Sequence, residues 1–271
     1  MRKAALLSLA LLVSTGCAPA LHDPPSVARL GPEVLSPGSA PPAPTRVDGL
    51  LADAEARFAR REHEDEARAA QKLFLEAARA DESRVEGLLG LARCSSWQVE
   101  HERNAASRAS LVLLGVQAAQ LCGQRAPTNV ACDYALAIAL GQQARERPAT
   151  GRDGAAKMIA ALRRAIASDP RMDGAGPHRV LALVYLRAPG WPAGPGDAVT
   201  GLAEAREAVA LAPDHPPNLL ALAEALRRNG QPDEARAASL KARDLAHARR
   251  AAGDPEAAGW LAEATKSLGP V

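Results

Sequence analysis

From Val47 onward the chain is punctuated at regular intervals, and between the breaks it reads as helix. The breaks are Asp81, Pro127-Thr128-Asn129, Asp169-Pro170, Pro213-Asp214, Asn229-Gly230 and Gly253-Asp254-Pro255. Gly, Pro, Asn and Asp end helices because they free the backbone, remove its donor or compete with it. The periodicity predicts helices near 48–61, 66–80, 84–100, 104–123, 129–146, 153–168, 177–187, 198–211, 217–229, 232–250 and 254–267. Asp153 and Asp197 are expected caps, and Pro217, Pro232 and Pro255 suit first turns. Like elements recur about every 35–45 residues, the mark of a repeat array. Composition agrees. Ala and Leu supply most of the apolar residues, while Trp, Tyr and Phe number 3, 2 and 2. The β-branched and aromatic residues that strands prefer are too few for an all-β fold or a buried parallel sheet. With 47% hydrophobic and 24% charged residues, a folded body is expected. Without Arg2 and Lys3, 31 basic residues face 31 acidic ones. That balance gives no electrostatic footprint for nucleic acid.

The window 216–249 is the most regular. Leu219, Leu222, Ala223 and Leu226 share one helix face, Gly230 ends that helix, and Ala235, Ser239 and Ala242 line the next. Small residues let two helices of a hairpin approach, and large ones fill the groove to the next hairpin. The pattern resembles the tetratricopeptide repeat, with Ser239 where an aromatic is usual and His247 where Pro is usual. Partial matches recur at Ala70/Phe74/Ala77, Ala137/Leu140/Gly141/Ala144, Leu162/Ala165/Pro170 and Ala208/Pro213. The expected fold is all-α: a solenoid of about five helical hairpins, closed by a C-terminal capping helix over the exposed last face.

The first residues read as an address. Met1-Arg2-Lys3 is a positive start, and Ala4–Val13 is an apolar run too short to span a bilayer. Ser14-Thr15-Gly16-Cys17 resembles the lipobox of bacterial lipoproteins, though Ser14 stands where an aliphatic residue is usual. The resemblance implies cleavage after residue 16 and acylation of Cys17. Ala18, not Asp, follows the cysteine, which implies the periplasmic face of the outer membrane. Residues 17–46 carry eight prolines and read as a tether of roughly 30 Å. Domain organisation is thus a signal peptide (1–16), a lipidated tether (17–46) and a repeat body (47–271).

A narrower resemblance lies in 174–242. Gly176-Pro177-His178-Arg179-Val180-Leu181, then Tyr185-Leu186-Arg187-Ala188-Pro189-Gly190-Trp191-Pro192, then Gly196-Asp197 and Leu211-Ala212-Pro213, are similar to the TatT family. Gly87–Trp97 is similar too. These are periplasmic lipoproteins of tetratricopeptide type associated with tripartite ATP-independent periplasmic (TRAP) transporters. The resemblance implies a non-enzymatic accessory to solute uptake, without a cofactor. It implies pairing with the periplasmic solute-binding protein, a possible homo-oligomer, and a hydrophobic cavity or pore for an apolar or organic-acid ligand. Trp97, Tyr134, Tyr185 and Trp191 are candidate walls, and Arg179 a candidate holder of a carboxylate or of nearby loop carbonyls. In the loop Ala188–Gly196, three prolines fix φ, so Trp191 either packs back on the helices or is offered to a partner. The competing reading is a general scaffold lipoprotein for envelope or pilus assembly.

Three cysteines follow Cys17. An oxidising compartment permits a bridge. Cys122 and Cys132 flank one interhelix turn and are the expected pair, with Cys94–Cys122 the competitor. The histidines are dispersed, and no HExxH, phosphate loop or nucleophile elbow occurs. No catalytic or metal-ligating set is therefore predicted.

Overall fold

The computed structural model describes residues 18–31 and 44–269. Cys17 lies outside them. Among the described residues eleven α-helices follow one another: α1 Pro44–Phe58, α2 Glu64–Ala80, α3 Glu86–His101, α4 Ala105–Arg125, α5 Val130–Glu146, α6 Gly151–Ser168, α7 Met172–Arg187, α8 Ala198–Leu211, α9 Pro216–Arg228, α10 Pro232–Ala251 and α11 Ala257–Leu268. Consecutive helices pair as five antiparallel hairpins, α1/α2 to α9/α10, and α11 packs on α9 and α10 as the cap. Odd-numbered helices also touch one another across hairpins, from α1·α3 through α9·α11. The odd helices therefore form the inner layer of a curved array. The curvature is strong enough that Arg61, just after α1, reaches Glu256, just before α11, with Nη2–Oε1 at 2.6 Å.

The core is a row of apolar clusters, one passing into the next. Phe58, Phe74, Leu88 and Leu91 fill the first, Leu140, Leu162 and Leu181 the second, Leu202, Ala225 and Leu226 the third, and Leu219, Leu220 and Ala264 the last. Close approach depends on missing side chains. A Cβ on Gly90 would lie 2.2 Å from Phe74 Cδ1, so α3 can cross α2 only with glycine there. In the best repeat, Ala223, Ala235, Ser239 and Ala242 are wholly buried. Ser239 compensates for the missing aromatic by bonding. Its hydroxyl donates to Ala235 O at 2.9 Å and lies 2.6 Å from Ser267 Oγ on the cap.

Pro255 precedes α11 instead of lying in its first turn, and three further sequence expectations meet a different structure. Asp197 caps α8, accepting from the N–H groups of Val199 and Thr200. Asp153 is no cap, because α6 starts two residues earlier. Its carboxylate accepts instead from the N–H of Ala20 at 2.7 Å and pairs with Lys157. Helix α7 starts before Pro177, through a left-handed turn at Asp173, Gly174 and Ala175 with φ of 49°, 59° and 63°. The third difference is in the Pro-rich leader segment. Residues 18–31 lie on the body rather than away from it. Ala18 N–H bonds Ala149 O, Gln120 on α4 donates to His22 O, and Arg79 on α2 donates to Leu30 O. Ala20, Val27 and Leu30 are buried. Prolines mask the apolar spacing that seats this strap.

Candidate binding groove

The predicted site residues separate in space. Trp97 on α3 is a packing residue: its indole N–H donates to Arg61 O at 3.2 Å, and its ring stacks on His101 with centroids 3.8 Å apart. Tyr185 on α7 is buried, and its hydroxyl accepts from Arg163 Nη2 at 3.0 Å. Trp191 stands out from the α7–α8 loop with 90% of its surface exposed. The loop is held beneath it by Asp197 N–H to Tyr185 O and Gly196 N–H to Pro189 O. Cys122 and Cys132 are bonded, with Cα atoms 5.4 Å apart. Cys94 is a free, buried thiol, pushed up to about 11 by that burial, so it stays protonated and unreactive at neutral pH.

Tyr134 and Arg179 do meet. The Tyr134 hydroxyl donates to Asp173 Oδ2 at 2.6 Å. The Arg179 guanidinium donates to the same Oδ2 at 2.8 Å, to Asn218 Oδ1 at 2.9 Å and to Asp173 O and Gly174 O. Asn218, wholly buried, sends its amide N–H groups to Gly174 O, Ala208 O and Ala212 O. Arg179 reaches no carbonyl of the Ala188–Gly196 loop; its bonds go to the carbonyls and the carboxylate of the turn at Asp173 and Gly174. Its work is to clamp the left-handed turn, where two non-glycine residues sit at positive φ at a cost of order 1–3 kcal/mol each. Gly176 completes the clamp, since a Cβ there would stand 2.1 Å from the Tyr134 oxygen. Burial, reinforced by Asp173, pushes the Tyr134 phenol well above its ordinary range. His215 sits against this node, edge-on to Trp260. Burial first, then Arg179, hold its imidazole down at about 4.

A second constellation, absent from the predicted set, lies along the inner helices. Glu100 of α3 pairs with Arg145 of α5, and Gln142 donates to the same carboxylate at 3.0 Å. Burial alone would raise the Glu100 carboxyl; the Arg145 and Gln142 bonds more than offset it and leave it lowered. Arg187 of α7 pairs with Glu224 of α9 at 2.7 Å, and Arg228 backs the same carboxylate at 3.5 Å. Glu263 of α11 ends the row. Its outer face is exposed, but desolvation of the carboxyl against the inner helices is the largest influence on it; with Glu224 and Glu100 close by, it is held above the ordinary carboxylate range despite Arg187 and Lys266. A cavity of about 330 Å³ opens beside it, lined by Leu220, Glu224, Arg227, Glu263, Lys266 and Ser267. Four of those six side chains are charged, which differs from the hydrophobic ligand walls expected from sequence. The row carried a readable signal. Glu100–Arg145 and Arg187–Glu224 are 45 and 37 residues apart, one repeat length each.

Among solved structures, the chain is similar to TTC0263, a thermophilic TPR protein of Thermus thermophilus. The TM-score is 0.60 at 23% identity, over 82% of this chain and 98% of that one. The fold is a tetratricopeptide-repeat solenoid. The MamA protein overlaps more loosely, at a TM-score of 0.48 and 17% identity, over 75% of this chain and 93% of that one. No family profile and no curated protein sequence matches the chain. The charged row and its cavity lie on the odd helices, the inner layer of the array.

Proposed function

We propose that this chain is a non-enzymatic, lipid-anchored periplasmic scaffold that receives a protein partner in its concave groove. The observation that carries the reading is the charged row Glu100, Arg145, Arg187, Glu224 and Glu263. Pairs half open to water contribute little to stability, about 0–1 kcal/mol each. They give a groove electrostatic specificity and a fast approach to a complementary surface. The partner is the periplasmic solute-binding protein of a TRAP-type transporter, and support for it is the TatT-like sequence of 174–242. The disulfide between Cys122 and Cys132 supports export to an oxidising compartment. Lipidation at Cys17 fixes the body to the outer membrane. With Ala18, next to the anchor, bonded to Ala149 of the body, the scaffold works close to the lipid. A small ligand for such a groove is a charged organic acid rather than an apolar molecule, given the charged cavity lining.

Affinity capture of the tagged full-length lipoprotein from cross-linked, detergent-solubilised envelopes tests this reading. It predicts recovery of a periplasmic solute-binding protein and loss of that recovery when Arg145 and Arg187 are both changed to Glu. Recovery of envelope or pilus assembly components instead, with no solute-binding protein, supports the general scaffold and discards the transport role.

A further inference from the structure

The cavity between α9 and α11 is built from two facing stripes. Leu220, Glu224 and Arg227 lie at i, i+4 and i+7 on α9, and Glu263, Lys266 and Ser267 at i, i+3 and i+4 on α11. Most of the polar groups are already satisfied. Glu224 is held by Arg187 and Arg228, and Arg227 donates to Ser267 Oγ at 2.7 Å. Two groups are not. Among the described residues, the Glu263 carboxylate and the Lys266 ammonium form no side-chain hydrogen bond or ion pair, although three residues apart on one helix they are neighbours. Both face the cavity, and Leu220 gives it an apolar wall. Its volume, about 330 Å³, falls at the small end of ligand pockets, which run from about 300 Å³.

An exposed anion and an exposed cation one turn apart, with an apolar wall, match a small molecule that carries both charges. We infer that this cavity binds a free α-amino acid, its ammonium on Glu263, its carboxylate on Lys266 and its side chain on Leu220. This rests on the small-ligand part of the proposed function and names its class; it is independent of the protein partner. The surroundings favour the ammonium end. Burial first, then Glu224 and Glu100, hold the Glu263 carboxyl above its usual range against Arg187 and Lys266, and a bound ammonium would add to the cations that favour its charged form.

Isothermal titration calorimetry on the full chain tests the inference with alanine, leucine and arginine. Two isosteres of leucine that each lack one charge, 4-methylpentanoate and isopentylamine, are titrated alongside. At least one amino acid binds, and each leucine isostere binds at least tenfold more weakly than leucine if leucine is the ligand. Glu263→Gln removes the preference for leucine over 4-methylpentanoate, and Lys266→Met removes the preference over isopentylamine. Both positions are exposed on α11, and circular dichroism checks that the variants stay helical. Silence with all three amino acids at about ten millimolar overturns the site. So does binding that neither substitution alters, or 4-methylpentanoate binding as tightly as leucine, which restores a plain organic acid. Amino-acid binding without capture of the solute-binding protein counts against the partner alone.

Discussion

The first two hairpins and the α5/α7/α9 node solve one problem with different chemistry. Each must lock neighbouring repeats in register. In the first region the lock is apolar. Phe74 is wholly buried, edge-on to Phe58 at 6.4 Å, with the Arg61 and Arg93 guanidinium groups each 4.6 Å from the Phe58 ring centre. In the second, the lock is polar: Tyr134, Asp173, Arg179 and Asn218 bind a left-handed turn that costs energy to hold. An apolar lock tolerates any pH and loses stability when volume is removed. A polar lock tolerates small changes of shape and fails when one partner or one protonation state is lost.

The largest expected effect is at the apolar lock. Phe74→Ala leaves a cavity that Gly90 cannot fill and lowers unfolding free energy by about 3–5 kcal/mol in urea titrations. Removing the centre of the polar lock follows. Arg179→Met strands Asn218 Oδ1, takes the arginine donor from Asp173 O, and leaves the Asp173 carboxylate to Tyr134 and Gly174 O to Asn218. Because Asp173 is half exposed, the cost is about 2–3 kcal/mol. Third is acid. The His215 imidazole is held at about 4 when folded, below its ordinary 6.5, so the folded state favours the neutral form. Its contribution is whole above about pH 6.5 and is lost as pH falls towards 4. The loss is of order 2 kcal/mol, discounted for partial exposure. His215→Phe should flatten the thermal-stability profile over that window, and an unchanged slope would assign the acid sensitivity elsewhere. Tyr134→Phe removes one hydrogen bond while Arg179 still holds Asp173, and should cost about 1 kcal/mol by thermal denaturation. Smallest is Trp191→Ala, which touches neither lock and should shift stability by less than about 0.5 kcal/mol.

The two locks also differ in how far sequence reveals them. The helices, their hairpin pairing and the small residues at crossings follow from local periodicity, because Ala70, Phe74 and Ala77 or Leu219, Ala223 and Leu226 carry their roles within one or two turns. The polar lock joins Tyr134, Asp173, Arg179 and Asn218, which lie up to 84 residues apart. Met-Asp-Gly-Ala-Gly reads as an ordinary break, since nothing local says that a distant arginine and tyrosine will hold it in left-handed geometry. The strap at 18–31 was hidden in the same way. Its Val27 and Leu30 need the body's surface, not their own neighbours, to become buried. Taken singly, Glu100, Arg145, Arg187, Glu224 and Glu263 carry no local signal of a groove; their pairing follows the repeat register.

The proposed function has partners enter at the inner face of the odd helices. Site-specific photo-crosslinking tests it most directly. A benzophenone residue is placed at Arg145 or Arg228 on the inner helices, or at Arg206 or Arg236, exposed on α8 and α10. Irradiation of intact cells should give adducts of one periplasmic partner from the first pair and none from the second. Adducts from Arg206 or Arg236, with silence from the groove, would contradict the account.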